Sequence, residues 1–358
     1  MQVKHYGKTV TLWFAAIAMA GSAVSASADQ FSGSAQIGNT LVTLGAGGAI
    51  IVLPDTRSLM TRGNNSLPLE LYETFKLSED YGEEKGAGFD ISFETPLDNG
   101  NDLIVSGFFQ SFDQENRYAC VSPNLQIGCT VTALVDSDPD FFDSSRSASN
   151  TYLGEGSRQV NHLGVDLGVR APADAIIPGG SFLLGVDFRQ IDQKIHEDSR
   201  FPNGAKIHSY SESLTTNYYG GYVGAELELG EPAVSGFGGS GLTTNLFAKG
   251  GIYFADTQYD GSLTGFADQK LSLNSGDTAF IGSVGFETTL PLAPNIHISL
   301  VGKAEYYSFV PEMRYNQIDE AAFFGIVQQA NGQDGTVIGN SDAFSGSLML
   351  RLIVELGG

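Results

Sequence analysis

The chain has 358 residues, including 45 Gly, 23 Phe and 14 Tyr, and only 17% of it is charged. Its formal charge of −22 excludes nucleic acid as a partner, because phosphates need Lys and Arg to neutralise them. Such acidity suits a cell surface where divalent cations bridge anionic groups, and it fits a secreted soluble protein equally well.

In chain order, the first feature is a leader. Lys4 and Lys8 precede an apolar run, Leu12 to Ala20, which ends in the small residues Ala26-Ser27-Ala28 ahead of Asp29. This charged, apolar and small-residue succession is the signature of a secretory signal peptide, with cleavage expected after Ala28. A membrane anchor would need ~20 apolar residues, and the run is far shorter. No later stretch approaches spanning length as a helix. Any residence in a bilayer must therefore be as a closed sheet, the other structure that satisfies every backbone polar group in hydrocarbon.

Residues 29–40 read as a periplasmic lead and 41–358 as one barrel. Leu41–Leu53 opens the alternation, with Val42, Leu44, Ala46, Ile50 and Val52 on one face and small residues opposite. Gly86–Thr95 sets Phe89, Ile91 and Phe93 against Asp90, Ser92 and Glu94. A turn at Asn99-Gly100, a strong hairpin signal, leads to Leu103–Phe112. Beyond it, Cys120 and Cys129 are close enough in sequence to staple a small loop by a disulfide in an exported chain; with no histidine near, a metal site is the poorer reading. Asp136, Asp138, Asp140 and Asp143 then crowd carboxylates as calcium ligands do, at a spacing that matches no defined site.

Alternation resumes over Gln159–Arg170, Phe182–Ile191, Asn217–Leu229, Leu242–Asp256, Ala279–Leu290, Asn295–Phe309 and Phe344–Leu356. These make ten strands. The connections 96–102, 171–180 and 291–294 are short, whereas 54–85, 113–158, 195–216 and 310–343 are long; 230–241 and 257–278 are intermediate. Short periplasmic turns, long outer loops and an even strand count place both termini in the periplasm. One segment, Leu69–Leu77, also alternates and would make eleven; it reads as a hairpin in an outer loop, or as part of a twelve-stranded alternative. The fold expected is all-β, a transmembrane antiparallel up-and-down barrel.

With its leader, alternating strands and aromatic strand ends (Tyr219, Tyr253, Tyr306, Phe309), the chain resembles the outer-membrane β-barrel proteins of Gram-negative bacteria. The resemblance implies location in the outer membrane, with its lipid and lipopolysaccharide and the barrel-assembly machinery as partners. The chain ends at Gly357-Gly358, where such barrels commonly end in Phe or Trp.

If the apolar faces meet lipid, the opposite faces line the lumen. They carry the acids Asp90, Glu94, Asp166, Asp187, Glu226, Glu228, Glu287, Glu305 and Glu355, and the bases Arg170, Arg189, Lys249, Lys303 and Arg351. In a narrow barrel most of these must pair, because unpaired buried charge is costly. Two readings follow. One is a small porin-like pore whose acid excess prefers cations or small hydrophilic solutes; inward glycines (Gly45, Gly47, Gly168) would leave it room. The other is a filled, non-conducting barrel that is structural or binds partners at the cell surface. An enzyme is the weakest reading. His297 and Ser299 with Glu287 or Glu305 have the parts of a Ser-His-acid hydrolase, but lie near the periplasmic turn. His196 and His208, with Asp192, Glu197 and Asp198, would suit a rim protease. No cofactor motif is present, and neither catalysis nor a cofactor is expected.

Overall fold

The computed structural model describes residues 40–54, 57–64, 73–76, 83–121, 127–131, 151–229, 241–265, 269–314 and 337–357. The leader, the lead up to 39 and the acidic segment 136–143 fall outside these. The strands in chain order are β1 (Thr40–Val52), β2 (Arg57–Asn64), β3 (Glu73–Lys76), β4 (Glu83–Pro96), β5 (Asp102–Val121) and β6 (Ile127–Val131). There follow β7 (Thr151–Pro172), β8 (Gly180–Arg200), β9 (Lys206–Leu229), β10 (Thr243–Thr264), β11 (Gln269–Ala293), β12 (Ile296–Arg314) and β13 (Val337–Leu356).

Ten of them close an antiparallel barrel in the order β1-β13-β12-β11-β10-β9-β8-β7-β5-β4. The ring is sealed where β1 pairs with β13, from Thr40↔Leu356 to Val52↔Phe344. Closure leaves no sheet edge within the ring, which is what hydrocarbon demands of a spanning sheet. The segment around Leu69–Leu77 contributes β3 to a separate sheet of order β3-β2-β6, outside the ring. It adds no spanning strand, so the parity of ten stands.

Outward positions carry Leu184, Val186, Val223, Ile252, Val284, Leu348 and Leu350, each more than half exposed. In water such a belt would be a large unburied apolar patch; in a bilayer it is the lipid contact. Aromatic side chains cap the belt on its outer side. Phe188 faces Tyr219 and Tyr219 faces Phe254 across successive strand pairs. Tyr306 faces Phe344, with ring centroids 5.0 Å apart, and Phe89 faces Phe109 at 5.7 Å. Amphipathic rings favour the headgroup level, so this row marks the outer membrane boundary. Tyr219 and Tyr306 belong to it as the sequence suggested. Tyr253 and Phe309 do not: they point inward and are 2% and 3% exposed. Strand position gives the depth of a residue, and only its parity gives the face.

Above the aromatic row the strands continue. The segments 195–216 and 257–278, expected as loops, are mostly strand; β8 and β9 are joined by a turn at 201–205, closed by Phe201 N donating to Ala205 O (2.8 Å). Outer-face rungs there are polar: Ser111 Oγ donates to Asn161 Oδ1 (3.0 Å), and Gln190 Nε2 to Asn217 Oδ1 (2.9 Å). The extension is uneven. β7 to β11 have 21 to 25 residues, whereas β1 has 13 and β4 has 14. On the periplasmic side the turns are tight, as at Leu97–Asn101, where Gly100 takes φ 80°.

Candidate functional site: the barrel interior and its outer mouth

Alternation sends every second side chain inward, and among the described residues these side chains meet one another across the barrel. Nearest the periplasm, Arg170 bonds Glu94 and donates through Nε to Glu226 Oε2 (2.7 Å), with Asp102 Oδ2 at 3.6 Å. Arg351 donates through Nε to Asp90 Oδ2 (2.8 Å) and through Nη1 to Glu287 Oε2 (3.3 Å). Lys249 lies 3.7 Å from Asp166, whose other oxygen accepts from Tyr222 Oη at 2.9 Å. Glu228 is exposed at the periplasmic mouth, and Glu355 is half-buried there.

One layer outward stands Arg189. Its Nε donates to Asp187 Oδ2 (3.0 Å); its Nη1 donates to Glu305 and to Tyr307 Oη (3.1 Å). Lys303 approaches the same Glu305 at 3.1 Å. Tyr307, accepting from Arg189, donates onward to His162 Nε2 (2.7 Å), which leaves Nδ1–H of His162 to donate to Gln110 Oε1 (3.1 Å). The predicted bases and acids are thus brought together as a few multi-partner networks. A guanidinium holds the centre of three of them, since its fork of donors can serve several carboxylates at once.

The inward glycines do not leave space. A Cβ on Gly45 would lie 1.9 Å from Asp90 Oδ1 and 2.8 Å from Arg351 Cγ, and one on Gly168 would lie 2.3 Å from Tyr222 Oη. The room predicted for a solute is filled by the charged and phenolic side chains of neighbouring strands. Gly45→Ala is therefore expected to separate Asp90 from Arg351 and cost about 1–3 kcal/mol, the penalty of unpairing part-buried polar partners. Urea unfolding of the barrel in lipid vesicles measures it.

Above the charged layers the lumen is apolar. Phe112, Val160, Ile191, Tyr218, Ala255 and Val310, contributed by six different strands, are each 0% exposed and pack as one cluster with Tyr253, Ile281 and Phe309. A register shift in β12 between Tyr307 and Val310 frees the carbonyl of Phe309, which accepts from Tyr218 Oη at 3.0 Å. The bulge thus directs an extra ring into the lumen. Over this layer Arg158 is 2% exposed. It pairs with Glu84 (3.0 Å) and donates to Gln193 Oε1 (2.7 Å) and Pro54 O (3.3 Å).

Sequence reasoning missed Arg158, Glu84 and Gln193, and it placed Glu197 and His208 in a loop. Glu197 and His208 in fact face inward on β8 and β9, 3.6 Å apart and buried. The parity of the strands continued past 191 and 217 would have found them.

The hydrolase candidates are not assembled. Ser299 Oγ donates to Glu287 Oε1 (2.7 Å) beside the periplasmic end, so the hydroxyl is bonded to the acid directly, with no intervening imidazole. His196 faces outward, its Nδ1 2.9 Å from Ser211 Oγ and its Nε2 3.4 Å from Asp198. These are the parts of a relay, but Ser211 sits on β9 between β8 and β10, where ladder pairing engages the backbone N–H groups an oxyanion would need. Asp198 instead anchors the hairpin. It accepts from Ser209 Oγ (2.7 Å), with Lys206 Nζ at 2.9 Å and Arg200 Nη2 at 3.2 Å. Burial raises its pKa, but the hydrogen bonds from Lys206, Ser209 and Arg200 outweigh this and bring it down to about 2. A carboxylate depressed in the folded state stabilises above its unfolded pKa of about 4 and stops doing so as pH falls through the folded value. Hydrogen exchange of the β8–β9 tip is expected to be constant from neutral pH to about 4, after intrinsic correction, and to accelerate between about 4 and 2. Asp198→Asn removes that dependence.

Cys120 lies in β5 and Cys129 in β6, and their side chains fall outside the described residues. So do Asp136, Asp138, Asp140 and Asp143, the calcium candidates.

No protein-family model matches the chain, and no curated relative does. Solved structures similar to it include the outer membrane protease OmpT from Escherichia coli, 8% identical with a TM-score of 0.46, covering 91% of this chain and 99% of that one. The translocator domain of the autotransporter NalP from Neisseria meningitidis is 12% identical with a TM-score of 0.38, covering 97% and 98%. Neisserial surface protein A is 10% identical with a TM-score of 0.26, covering 88% and 97%. At these values the likenesses carry no argument about function. Its closed ten-strand sheet, lipid-facing belt and aromatic row give the chain the fold of an outer-membrane β-barrel.

Proposed function

We propose that this protein is a non-conducting barrel that acts through what it presents outside the cell, rather than a porin-like pore. The observation that carries the reading is the apolar and aromatic layer in which Phe112, Tyr218 and Tyr307 are 0% exposed across the lumen. A hydrated ion crossing that layer would have to shed water against groups that offer it no ligands. Beneath it Asp90, Glu94, Asp166, Asp187, Glu226, Glu287 and Glu305 are held by Arg170, Arg189, Lys249, Lys303 and Arg351, so these carboxylates are engaged in networks rather than presented to a passing cation. The strands instead invest length in the extracellular extension. No catalytic step and no cofactor is assigned to it.

Planar-bilayer recording of the purified, refolded chain tests this. Electrical silence at voltages that open ordinary porins is expected. Discrete, cation-selective steps would overturn the reading and restore the small pore.

A further inference from the structure

On the inner wall of the extension, the registers of β5, β7, β8 and β9 set Tyr118, Gly154, Ser199 and His208 opposite one another in one rung. Directly opposed residues share a face, and Glu197, two residues from Ser199 along β8, shares it too. Glu197 and Ser199 are 0% exposed and His208 is 1% exposed. Gly154 lets the ring of Tyr118 lie across β7, since a Cβ there would come within 2.0 Å of Tyr118 Cζ. The phenol thereby reaches the strand beyond and donates to Glu197. Side chains from β5, β8 and β9 thus converge on one buried point near the turn at 201–205.

Polar atoms at that point lack hydrogen bonds. Neither ring nitrogen of His208 makes one, nor does Ser199 Oγ, although all three atoms are buried. At least one imidazole nitrogen carries a hydrogen in every protonation state, and a buried donor left unpaired is costly. His208 Nε2 stands 3.6 Å from Glu197 Oε1. A charge-assisted hydrogen bond would draw such a pair to about 2.7–2.9 Å. Two donors that share a tetrahedral zinc ion, each about 2.0–2.1 Å from it, stand about 3.3–3.5 Å apart. The observed separation is closer to that of a shared ion. Imidazole and carboxylate are both donors that zinc accepts.

We propose that Glu197 and His208 bind a divalent transition-metal ion of the zinc class, taken from the extracellular medium. Among the described residues no third His, Cys, Asp or Glu joins them, so Ser199 Oγ is the protein oxygen beside the pair and Tyr118 holds the carboxylate from outside the ligand set. Two strong donors make an exchangeable site rather than a permanent one. His208 lies 11 residues beyond Tyr219, on the order of 25–30 Å above the aromatic row, and fraying of the hairpin end admits the ion. Once bound, it ties β8 to β9.

Zn²⁺ alone is the probe, titrated in competition with a chromophoric chelator into the full-length barrel, refolded in detergent and stripped with EDTA. One equivalent is expected to bind, weakened tenfold or more by His208→Ala and by Glu197→Gln, and not displaced by excess Mg²⁺. His196→Ala, on the outer face of the same wall, should leave binding unchanged. Gel mobility of the unheated protein shows that each variant is folded. A second reading needs no variant: Zn²⁺ should slow hydrogen exchange of the tip amides of β8 and β9 in the wild type. Absence of binding by the wild type, equal binding by the His208 and Glu197 variants, loss of binding in His196→Ala, or exchange unchanged by Zn²⁺ would each overturn the proposal. The rung lies above the apolar layer, so a conducting lumen would refute the reading given before and leave this one standing.

Discussion

Replacing Arg189 by Met is expected to lower the unfolding free energy by about 3–5 kcal/mol, the cost of leaving buried charge without its partner. Glu305 would keep Lys303 at 3.1 Å, so most of the loss falls on Asp187 and on Tyr307, whose hydroxyl accepts from Arg189. Arg189→Lys should recover only part of it, because one ammonium cannot span the Asp187, Glu305 and Tyr307 positions that the guanidinium fork reaches together. Combining Arg189→Met with Asp187→Asn, while Glu305 stays paired with Lys303, removes the stranded charge and should regain most of the stability. Urea unfolding in vesicles reads all four, followed by tyrosine fluorescence, since the one Trp, Trp13, lies in the segment expected to be cleaved. Equal stability of the wild type and the Met variant would mean that water reaches these acids.

The second large effect concerns passage. Phe112, on β5, and Tyr218, on β9, reach the apolar layer from strands separated in the ring by β7 and β8, and both are 0% exposed. Changing both to Ser is expected to replace two rings by room for water and hydroxyls, and to convert an electrically silent barrel into one with discrete steps. Each large-to-small change costs several kcal/mol, so folding must be checked first by the gel mobility of the unheated protein. The intended contrast is a pair of equal cavity changes on the outer face. Phe89→Ser with Phe254→Ser removes rings from the aromatic row and should leave the barrel silent. A silent Phe112→Ser/Tyr218→Ser barrel that is folded would place the barrier elsewhere, in the charged networks beneath.

The sequence carried the ring well and the interior only in part, for one physical reason. Within the membrane the two faces of a strand meet opposite solvents, so Leu184, Val186 and Phe188 alternate visibly with Gly185 and Asp187, and every spanning strand could be located. Above the membrane neither face meets lipid. On β8 the inward Gln193, Glu197 and Ser199 alternate with the outward Lys194, Asp198 and Arg200, a pattern without contrast that reads as loop. The networks were legible as a set of charges but not as pairs, because Arg170 finds Glu226 and Arg351 finds Asp90 across register and around the ring, at separations no local pattern encodes. Glycine misled in the same way. Gly45 and Gly168 are small because a neighbour occupies the space beside them, and composition alone cannot tell an empty position from a filled one.

Among the described strands of the ring, the unequal lengths make the wall above the membrane lopsided. The tip at Lys206 stands 13 residues beyond Tyr219, on the order of 30 Å above the aromatic row, whereas β1 ends at Val52, close to that row. Of the ring's described strands, an antibody or phage fibre held off by a dense sugar coat would meet the β8–β9 tip first, and substitutions selected by such encounters should accumulate there.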